Sequence, residues 1–458
     1  MARAKKEASL TPEERLQAAL VPDWEWPYRV PGNWCWTTIK NVATVVTGGT
    51  PSKNNPAYYN GKFPFFKPAD LDAGRHVSAA SEYLSDLGKN VSRIIPAQAT
   101  AVCCIGSIGK CGFLEVESTT NQQINSAIPY FNPLYQYFYM NTDFFVNQLK
   151  GNASATTIAI VNKTKMESCY YPLAPLAEQQ RIVDRIESLF AKLDEAREKT
   201  QAVVDSFETH KAAILHKAFT GELTARWREE HGVGMESWEK HLLSTVSSLQ
   251  TGLMKGKKYT GKTVKLPYLR VANVQDGFLC LDEIKKIDVE EKAISRYSLA
   301  VGDVLFTEGG DFDKLGRGTV WEGQIENCLH QNHIFVVRPN PEVLNPYFLS
   351  YQAGSRYGKA YFLSCSKQTT NLASINSTQL KNFPVLIPSI AEQEMIIKLI
   401  NSFLEKELHA KEAAEAVLDQ IDLMKKTILA RAFRGELGTN DPTEVSAVEL
   451  LKKVFQKE

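Results

Sequence analysis

The hydrophobic residues of this chain follow two different periods, and the change from one to the other divides it. From Ile182 onward, apolar or small residues recur at alternating spacings of four and three: Ile182, Ile186, Leu189, Leu193, Ala196, Thr200, Val203, Phe207, His210 and Ile214. That is a heptad seam, the mark of a long helix that pairs with another. The seam returns 214 positions later as Ile396, Ile400, Phe403, Glu407, Ala410, Ala414, Val417, Ile421, Met424 and Ile428, apolar everywhere except Glu407. A helix of roughly 40 residues, at about 1.5 Å per residue, is on the order of 60 Å long. That is too long to bury its stripe against one small domain, so the pattern predicts that the two helices pair. The pairing is antiparallel if each helix returns across its own globular unit. Two readings stand for the polar exceptions Thr200, His210 and Glu407: contacts that set register, or frayed and partner-facing positions.

Ahead of each seam the period shortens. Thr11-Pro12-Glu13-Glu14 is a capping box with proline at the first helical position, predicting a short helix through Leu20. From Trp34 to about Pro172, β-type runs such as Val102-Cys103-Cys104-Ile105 are broken by glycine turns, with polar or aromatic stretches between them. Tyr171-Pro172-Leu173-Ala174-Pro175 ends this stretch, because each proline forces extended backbone before it. The stretch from about Gly232 to Pro388 repeats the same landmarks. Lys62-Phe63-Pro64-Phe65-Phe66-Lys67 answers to Lys265-Leu266-Pro267-Tyr268-Leu269-Arg270, and Ile108-Gly109-Lys110 answers to Leu315-Gly316-Arg317. The closest echo flanks the seams: Ala177-Glu178-Gln179 to Ala218-Phe219-Thr220-Gly221-Glu222-Leu223 becomes Ala391-Glu392-Gln393 to Ala432-Phe433-Arg434-Gly435-Glu436-Leu437. Such a period far exceeds the roughly 20 to 50 residues of a solenoid unit. The predicted fold is α/β: two mixed α/β domains separated by two long antiparallel coiled-coil helices, a pseudo-twofold internal repeat. The predicted boundaries are 1–33 for an N-terminal helix and lead-in, 34–175 for the first domain, and 176–231 for a central helical region. Residues 232–388 form the second domain, 389–437 the C-terminal helix and 438–458 a tail. Near identity at the helix ends against divergence in the domains marks a shared frame carrying two different surfaces.

Composition narrows this little. The 458 residues, 43% hydrophobic and 23% charged, suffice for two or three ordinary cores. Fifty-three Lys+Arg against 52 Asp+Glu leave a net charge of +1, so any basic surface must be local. The eight cysteines contain no C-x-x-C pair and are expected to be free, buried thiols of a cytoplasmic protein. No apolar run reaches 18 residues and no apolar stretch follows Met1–Ser9, so neither a membrane span nor a signal peptide is predicted.

Catalytic signatures are missing. Gly106-Ser107-Ile108-Gly109-Lys110 has the wrong spacing for a phosphate loop, there is no H-E-x-x-H, and the eight histidines form no metal-ligand spacing. Asn132-Pro133-Leu134-Tyr135 and Asn345-Pro346-Tyr347-Phe348 resemble the Asn-Pro-Pro-aromatic motif with which adenine methyltransferases hold a flipped base. Both lack the second proline, and no glycine-rich cofactor strand precedes either, which favours plain helix starts. No catalytic residue, metal ligand or cofactor of its own is therefore assigned to this chain.

Several elements have the chemistry of nucleic-acid contact. Thr47-Gly48-Gly49-Thr50-Pro51-Ser52-Lys53-Asn54-Asn55 and Thr251-Gly252-Leu253-Met254-Lys255-Gly256-Lys257-Lys258-Tyr259 either place N–H groups and lysines on phosphates or are solvated turns. Lys110 and Arg317 sit at glycine-flanked tips that also suit simple hairpins. Asn121-Gln122-Gln123 and Gln331-Asn332-His333 carry amides that read adenine bidentately in a major groove, or else satisfy buried backbone. Thr156-Thr157 and Ser366-Lys367-Gln368-Thr369-Thr370-Asn371 precede the last strand of each domain, where helix capping competes with phosphate contact.

Taken together, these residues resemble the specificity subunit of a type I restriction-modification system over nearly the whole length. The resemblance rests on Gly48-Gly49-Thr50-Pro51-Ser52 with Tyr58-Tyr59-Asn60-Gly61 and on Gly106-Ser107-Ile108-Gly109. It rests equally on Pro175-Leu176-Ala177-Glu178-Gln179-Gln180-Arg181-Ile182-Val183 and Gly221-Glu222-Leu223-Thr224-Ala225-Arg226-Trp227-Arg228. It implies that residues 34–175 and 232–388 are target-recognition domains, each reading one half of a bipartite double-stranded DNA site, with the helices between them acting as a ruler. It further implies that Ile182, Ile186, Leu189, Ile396, Ile400 and Phe403 lie on helices that dock two methyltransferase subunits, which restriction subunits then join. S-adenosylmethionine, ATP and Mg would belong to those partners. The expected DNA-binding residues are Ser52, Lys53, Asn54, Lys67, Lys110, Gln122 and Thr156 in the first domain. In the second they are Lys255, Lys257, Lys258, Arg270, Arg317, Gln331, Lys367 and Thr369. Two other readings stand beside this one: a DNA adenine methyltransferase with fused recognition domains, and a coiled-coil adaptor between proteins. The second repeat departs from the pattern at Gly435-Glu436-Leu437-Gly438, which lacks the Thr-Ala-Arg-Trp-Arg continuation and leads instead into a tail predicted helical from Glu444 to Gln456.

Overall fold

A computed structural model describes residues 11–154, 159–254, 261–310, 315–368 and 373–457. They form two compact units, Met1–Lys199 with Val417–Glu458, and Thr200–Ala416. In the first, Cys35–Thr38 pairs antiparallel with Tyr170–Leu173, so the first and last strands of the domain close on each other. Ala43–Thr47, Ile124–Pro129, Thr100–Cys103 and Cys111–Phe113 make an antiparallel sheet in that order. Glu82–Leu84, Tyr59–Phe66 and Thr119–Thr120 make a third, whose last pairing is parallel. The four-stranded sheet is covered on both faces. Val102 and Cys104 join the core that holds Tyr135 and Tyr139, while Ala101 and Cys103 join the one around Phe66 and Leu71. The two-residue alternation of extended backbone thus parts the adjacent cysteines. All eight cysteines are free; six are buried, and Cys280 and Cys365 half-buried.

The second unit repeats this topology with unlike residues. Glu239–Leu242 pairs with Pro384–Ile387. Ser247–Thr251, Ile334–Pro339, Val304–Thr307 and Gly318–Val320 form the four-stranded sheet, and Lys285–Glu290, Thr263–Leu269 and Leu329–His330 the three-stranded one. A small sheet of Gly309–Gly310, Ala373–Ser374 and Lys367–Gln368 is added. At the corresponding place the first unit has, among the described residues, the bridges of Ile105 and Ser154 to Ile160.

Short helices obey their local signals. Thr11 and Glu14 form the reciprocal capping box, and the helix runs Pro12–Ala19. The tail helix is Val448–Lys457, four residues shorter at its start than expected. Asp441 there accepts from the Thr443 N–H and hydroxyl, and Glu444 is drawn into an ion pair with Arg181. Ala447 and Leu451 bury themselves in the first unit's core.

The long helices run Leu176–Phe219 and Ile390–Ala432. Within each unit the two segments lie antiparallel. In the first, Asp194 pairs with Lys425 and Arg197 with Asp422. In the second, His210 Nδ1 meets Glu407 at 2.8 Å, so two of the polar exceptions in the seam are partners of each other. The six residues expected on the docking helices divide by burial. Ile182, Ile186, Ile396 and Ile400 are fully buried, the first two in the core with Leu429 and Phe433 and the others with Leu215 and Phe219. Their side chains hold their own unit together and offer nothing to a docking partner. Leu189 is half-buried, and Phe403 is exposed, as are Val203, Val417 and Met424 along the middle of the seam.

Candidate nucleic-acid interface

The frame is built around the repeated Ala-Glu-Gln. Glu178 and Gln179 are wholly buried, as are Glu392 and Gln393. In the first unit Glu178 accepts from Trp34 Nε1 and from Asn440 Nδ2, each at 2.7 Å. In the second, Glu392 accepts from Arg228 Nη1 at 2.6 Å, Thr224 Oγ1 at 2.7 Å and Trp238 Nε1 at 3.1 Å. The Thr-Ala-Arg-Trp-Arg segment missing from the second repeat is therefore the cover of a buried carboxylate, a group that is costly to bury unpaired. Tail residues take its place in the first unit, where Arg181 grips Glu444 through both guanidinium nitrogens at 2.8 and 2.9 Å and Thr439 O at 2.9 Å.

The next residue explains the Asn-Pro motifs. Gln179 Oε1 accepts from the Asn132 backbone N–H at 3.2 Å, and Gln393 Oε1 from that of Asn345 at 2.8 Å. Asn132 Oδ1 caps its own helix through Leu134 N and Tyr135 N, and Asn345 Oδ1 caps through Tyr347 N, with Pro133 and Pro346 at the first helical turn. Both motifs are helix starts tied to the frame.

The candidate reading face joins elements far apart in sequence. Gly48 lies so close to the next chain that a Cβ there would sit 2.2 Å from Asn121 O; at Gly252 it would sit 2.3 Å from His330 O. Only glycine lets the loop after the second strand run beside the amide segment. Thr50 Oγ1 consequently donates to Gln122 Oε1, and Asn332 N donates to Leu253 O at 3.0 Å. Beneath Gln331, the imidazole of His330 is wholly inaccessible, with Nδ1 3.2 Å from Tyr297 O, and burial pushes its pKa down to about 4. Sequence reasoning did not single out Thr50, Glu308 or Arg93. Arg93 Nη1 donates to Thr47 O at 2.6 Å, and Glu308 pairs with His333. Their signal is purely spatial, since each lies tens of residues from its partner.

The remaining expected contacts divide by environment. Ser52, Lys53, Asn54, Gln122 and Lys367 are exposed, and Gln331 is half-buried. Lys67 pairs with Glu82 at 2.6 Å, Lys110 with Asp72 at 2.5 Å and Arg270 with Glu283 at 3.3 Å. Hydrogen bonding to Arg270 holds the Glu283 carboxyl below its usual range. Arg317 Nη1 donates to Gln275 Oε1 at 2.9 Å. Half-exposed ion pairs of this kind are worth about 0 to 1 kcal/mol, so a phosphate can displace the carboxylate at little cost. Thr156, Lys255, Lys257, Lys258 and Thr369 lie outside the described residues.

Two copies of one mixed α/β fold, held by a common frame and presenting unlike faces, define a paired recognition protein. The comparisons with known proteins agree with that class. The profile of the family described as Type I restriction modification DNA specificity domain matches residues 31–204 and again 235–417. The chain belongs to this family. It is 23% identical to the Type I restriction enzyme EcoKI specificity subunit of Escherichia coli strain K12, across 93% of this chain and 96% of that one. It is equally 23% identical to the StySPI specificity subunit of Salmonella potsdam, across 89% and 90%. Among solved structures, a chain of a type I R-M system studied for its complex assembly aligns over 90% of this chain and all of its own, with a TM-score of 0.66 at 20% identity. The HsdS subunit from Thermoanaerobacter tengcongensis aligns over the same shares, with a TM-score of 0.55 at 19% identity. Among the described residues no helix is long and apolar enough to cross a membrane.

Proposed function

We propose that this chain is the DNA sequence-recognition subunit of a type I restriction-modification complex. Each target-recognition domain reads one half of a bipartite, asymmetric site, and the long helices set the distance between the halves. The observation that carries this is the contrast between the repeats: the same buried Glu-Gln frame occurs twice, while the loops it supports differ, Gly48-Gly49-Thr50-Pro51-Ser52-Lys53 in one domain and Gly252-Leu253-Met254-Lys255-Gly256-Lys257 in the other. A protein reading a symmetric site would need like faces. The chain does no chemistry itself; methyl transfer from S-adenosylmethionine and ATP- and Mg-dependent restriction belong to two methyltransferase subunits and the restriction subunits that join them. Within the second unit, the exposed seam residues Val203 and Phe403 are candidates for contact with those partners. The adenine-methyltransferase alternative loses its support, because both Asn-Pro motifs are occupied as helix caps. Methyl transfer from labelled S-adenosylmethionine to genomic DNA tests the proposal. Incorporation is expected only when the chain and its methyltransferase partner are combined, and incorporation by the chain alone contradicts it.

A further inference from the structure

Resting on that reading of DNA, we infer that Gln122 and Asn332 are base-reading residues whose amides are preset in opposite senses, the first by Thr50 and the second by Glu308 acting through His333. The two amides occupy the same place in the two copies. Asn121 N donates to Phe66 O at 3.1 Å and Gln331 N to Leu269 O at 2.9 Å. Two residues on, Cys104 N donates to Gln123 O and Glu308 N to His333 O. Gln122 and Asn332 therefore follow equivalent strands beside equivalent glycine loops, Gln122 exposed and Asn332 half-buried.

Their anchors differ. In the first unit the Thr50 hydroxyl donates to Gln122 Oε1, which fixes the oxygen end and turns the Nε2 amino group outward. Among the described residues no partner takes those two N–H groups. A donor pair matches acceptor-only edges, the O6 and N7 of guanine or the O4 of thymine. In the second unit the order is reversed. The Glu308 carboxylate only accepts, so His333 Nδ1 carries the proton between them, and in the neutral imidazole that leaves Nε2 as an acceptor. That nitrogen takes an N–H from Asn332 Nδ2 at 3.3 Å. Asn332 then shows its Oδ1 together with the second Nδ2 hydrogen, an acceptor beside a donor, which is the bidentate match to adenine N6 and N7. An unanchored amide flips between these patterns and discriminates poorly, whereas an anchored one accepts a single pattern. Thr50 and Glu308 are positioning residues in this account, and Gln122 and Asn332 are the readers.

Single-molecule methylation sequencing of cells carrying the chain with its methyltransferase partner gives the motif against which variants are compared. Gln122→Ala and Asn332→Ala should each relax one base pair, in opposite half-sites, by about 5- to 150-fold in discrimination. Thr50→Val and Glu308→Leu should relax the same two base pairs and leave every other position unchanged, which a merely structural role would not do. An unchanged motif in either alanine variant overturns the inference, as does relaxation spread over both half-sites. Should an alanine variant lose methylation altogether, the near-isosteric Gln122→Glu and Asn332→Asp decide. Each must lose the wild-type preference at its own base pair, and retention of that preference, or complete loss of methylation while the chain still binds its partner, overturns the inference. A wild-type complex whose methylation does not depend on this chain contradicts the underlying function instead, so the two failures are distinguishable.

Discussion

His330 lies wholly buried beneath the candidate reading face of the second unit. Burial lowers its pKa from 6.5 to about 4. Well above pH 6.5 the imidazole is neutral in the folded and unfolded chain alike, and it gives stability no slope. As pH falls from 6.5 towards 4, the unfolded chain takes up a proton that the folded chain refuses, so stability declines, by about 3 kcal/mol over the window. His330→Gln, which keeps a polar side chain but does not titrate, should flatten that part of the curve of melting temperature against pH. A variant curve parallel to that of the wild type contradicts the assignment. Residue-level roles of this sort were only partly legible in the sequence. Asn132 and Asn345 are ambiguous in the sequence, because a capping asparagine and a base-holding one share a motif. The structure shows both as caps. Glu308 and Arg93 carried no signal, and Thr50 only as a member of its glycine loop, since the partners of all three are distant in sequence.

At the scale of elements, the heptad period announced that each long helix has a buried stripe, though a period does not say what buries it. At Ile182, Ile186, Ile396 and Ile400 the stripe is buried jointly by the domain core and by the end of the other long helix, through Leu429 in the first unit and Leu215 and Phe219 in the second. Farther along, the two helices meet at His210–Glu407 in the second unit. The repeat offset assigns Leu193 and Met424 to the corresponding positions of the first unit, so the copies differ there, apolar in one and polar in the other. An exposed contact of that type contributes about 0 to 1 kcal/mol. Replacing it with apolar side chains of similar size, His210→Leu together with Glu407→Met, should raise the stability of the second unit by about 1 kcal/mol through burial of roughly 40 Å² of apolar surface. Thermal unfolding of the double variant measures this; a lowered transition would mean that the polar pair is the stronger contact. The tail was legible as a helix but not as a cover. Nothing local to Thr439 and Asn440 reveals that they replace Thr224 and Arg228 over a buried glutamate.

At the scale of the whole molecule, duplication was the most legible feature, because near identity at the helix ends survives while the domains diverge. The duplicated topology follows from it: both four-stranded sheets have the same strand order, although most of their residues differ. Which bases are read was not legible, since that depends on which end of an amide faces outward, a matter of hydrogen bonds between residues some 25 to 75 positions apart. The account's central claim is that each domain reads its own half-site on a shared frame. Exchanging residues 34–175 for the corresponding domain of a relative with a different known target, and sequencing the methylated bases in cells carrying the hybrid and its methyltransferase partner, tests it most directly. The account predicts a motif in which one half-site becomes the relative's while the other half-site and the spacer stay as they were. A change in both halves, or in neither while methylation persists, would contradict it.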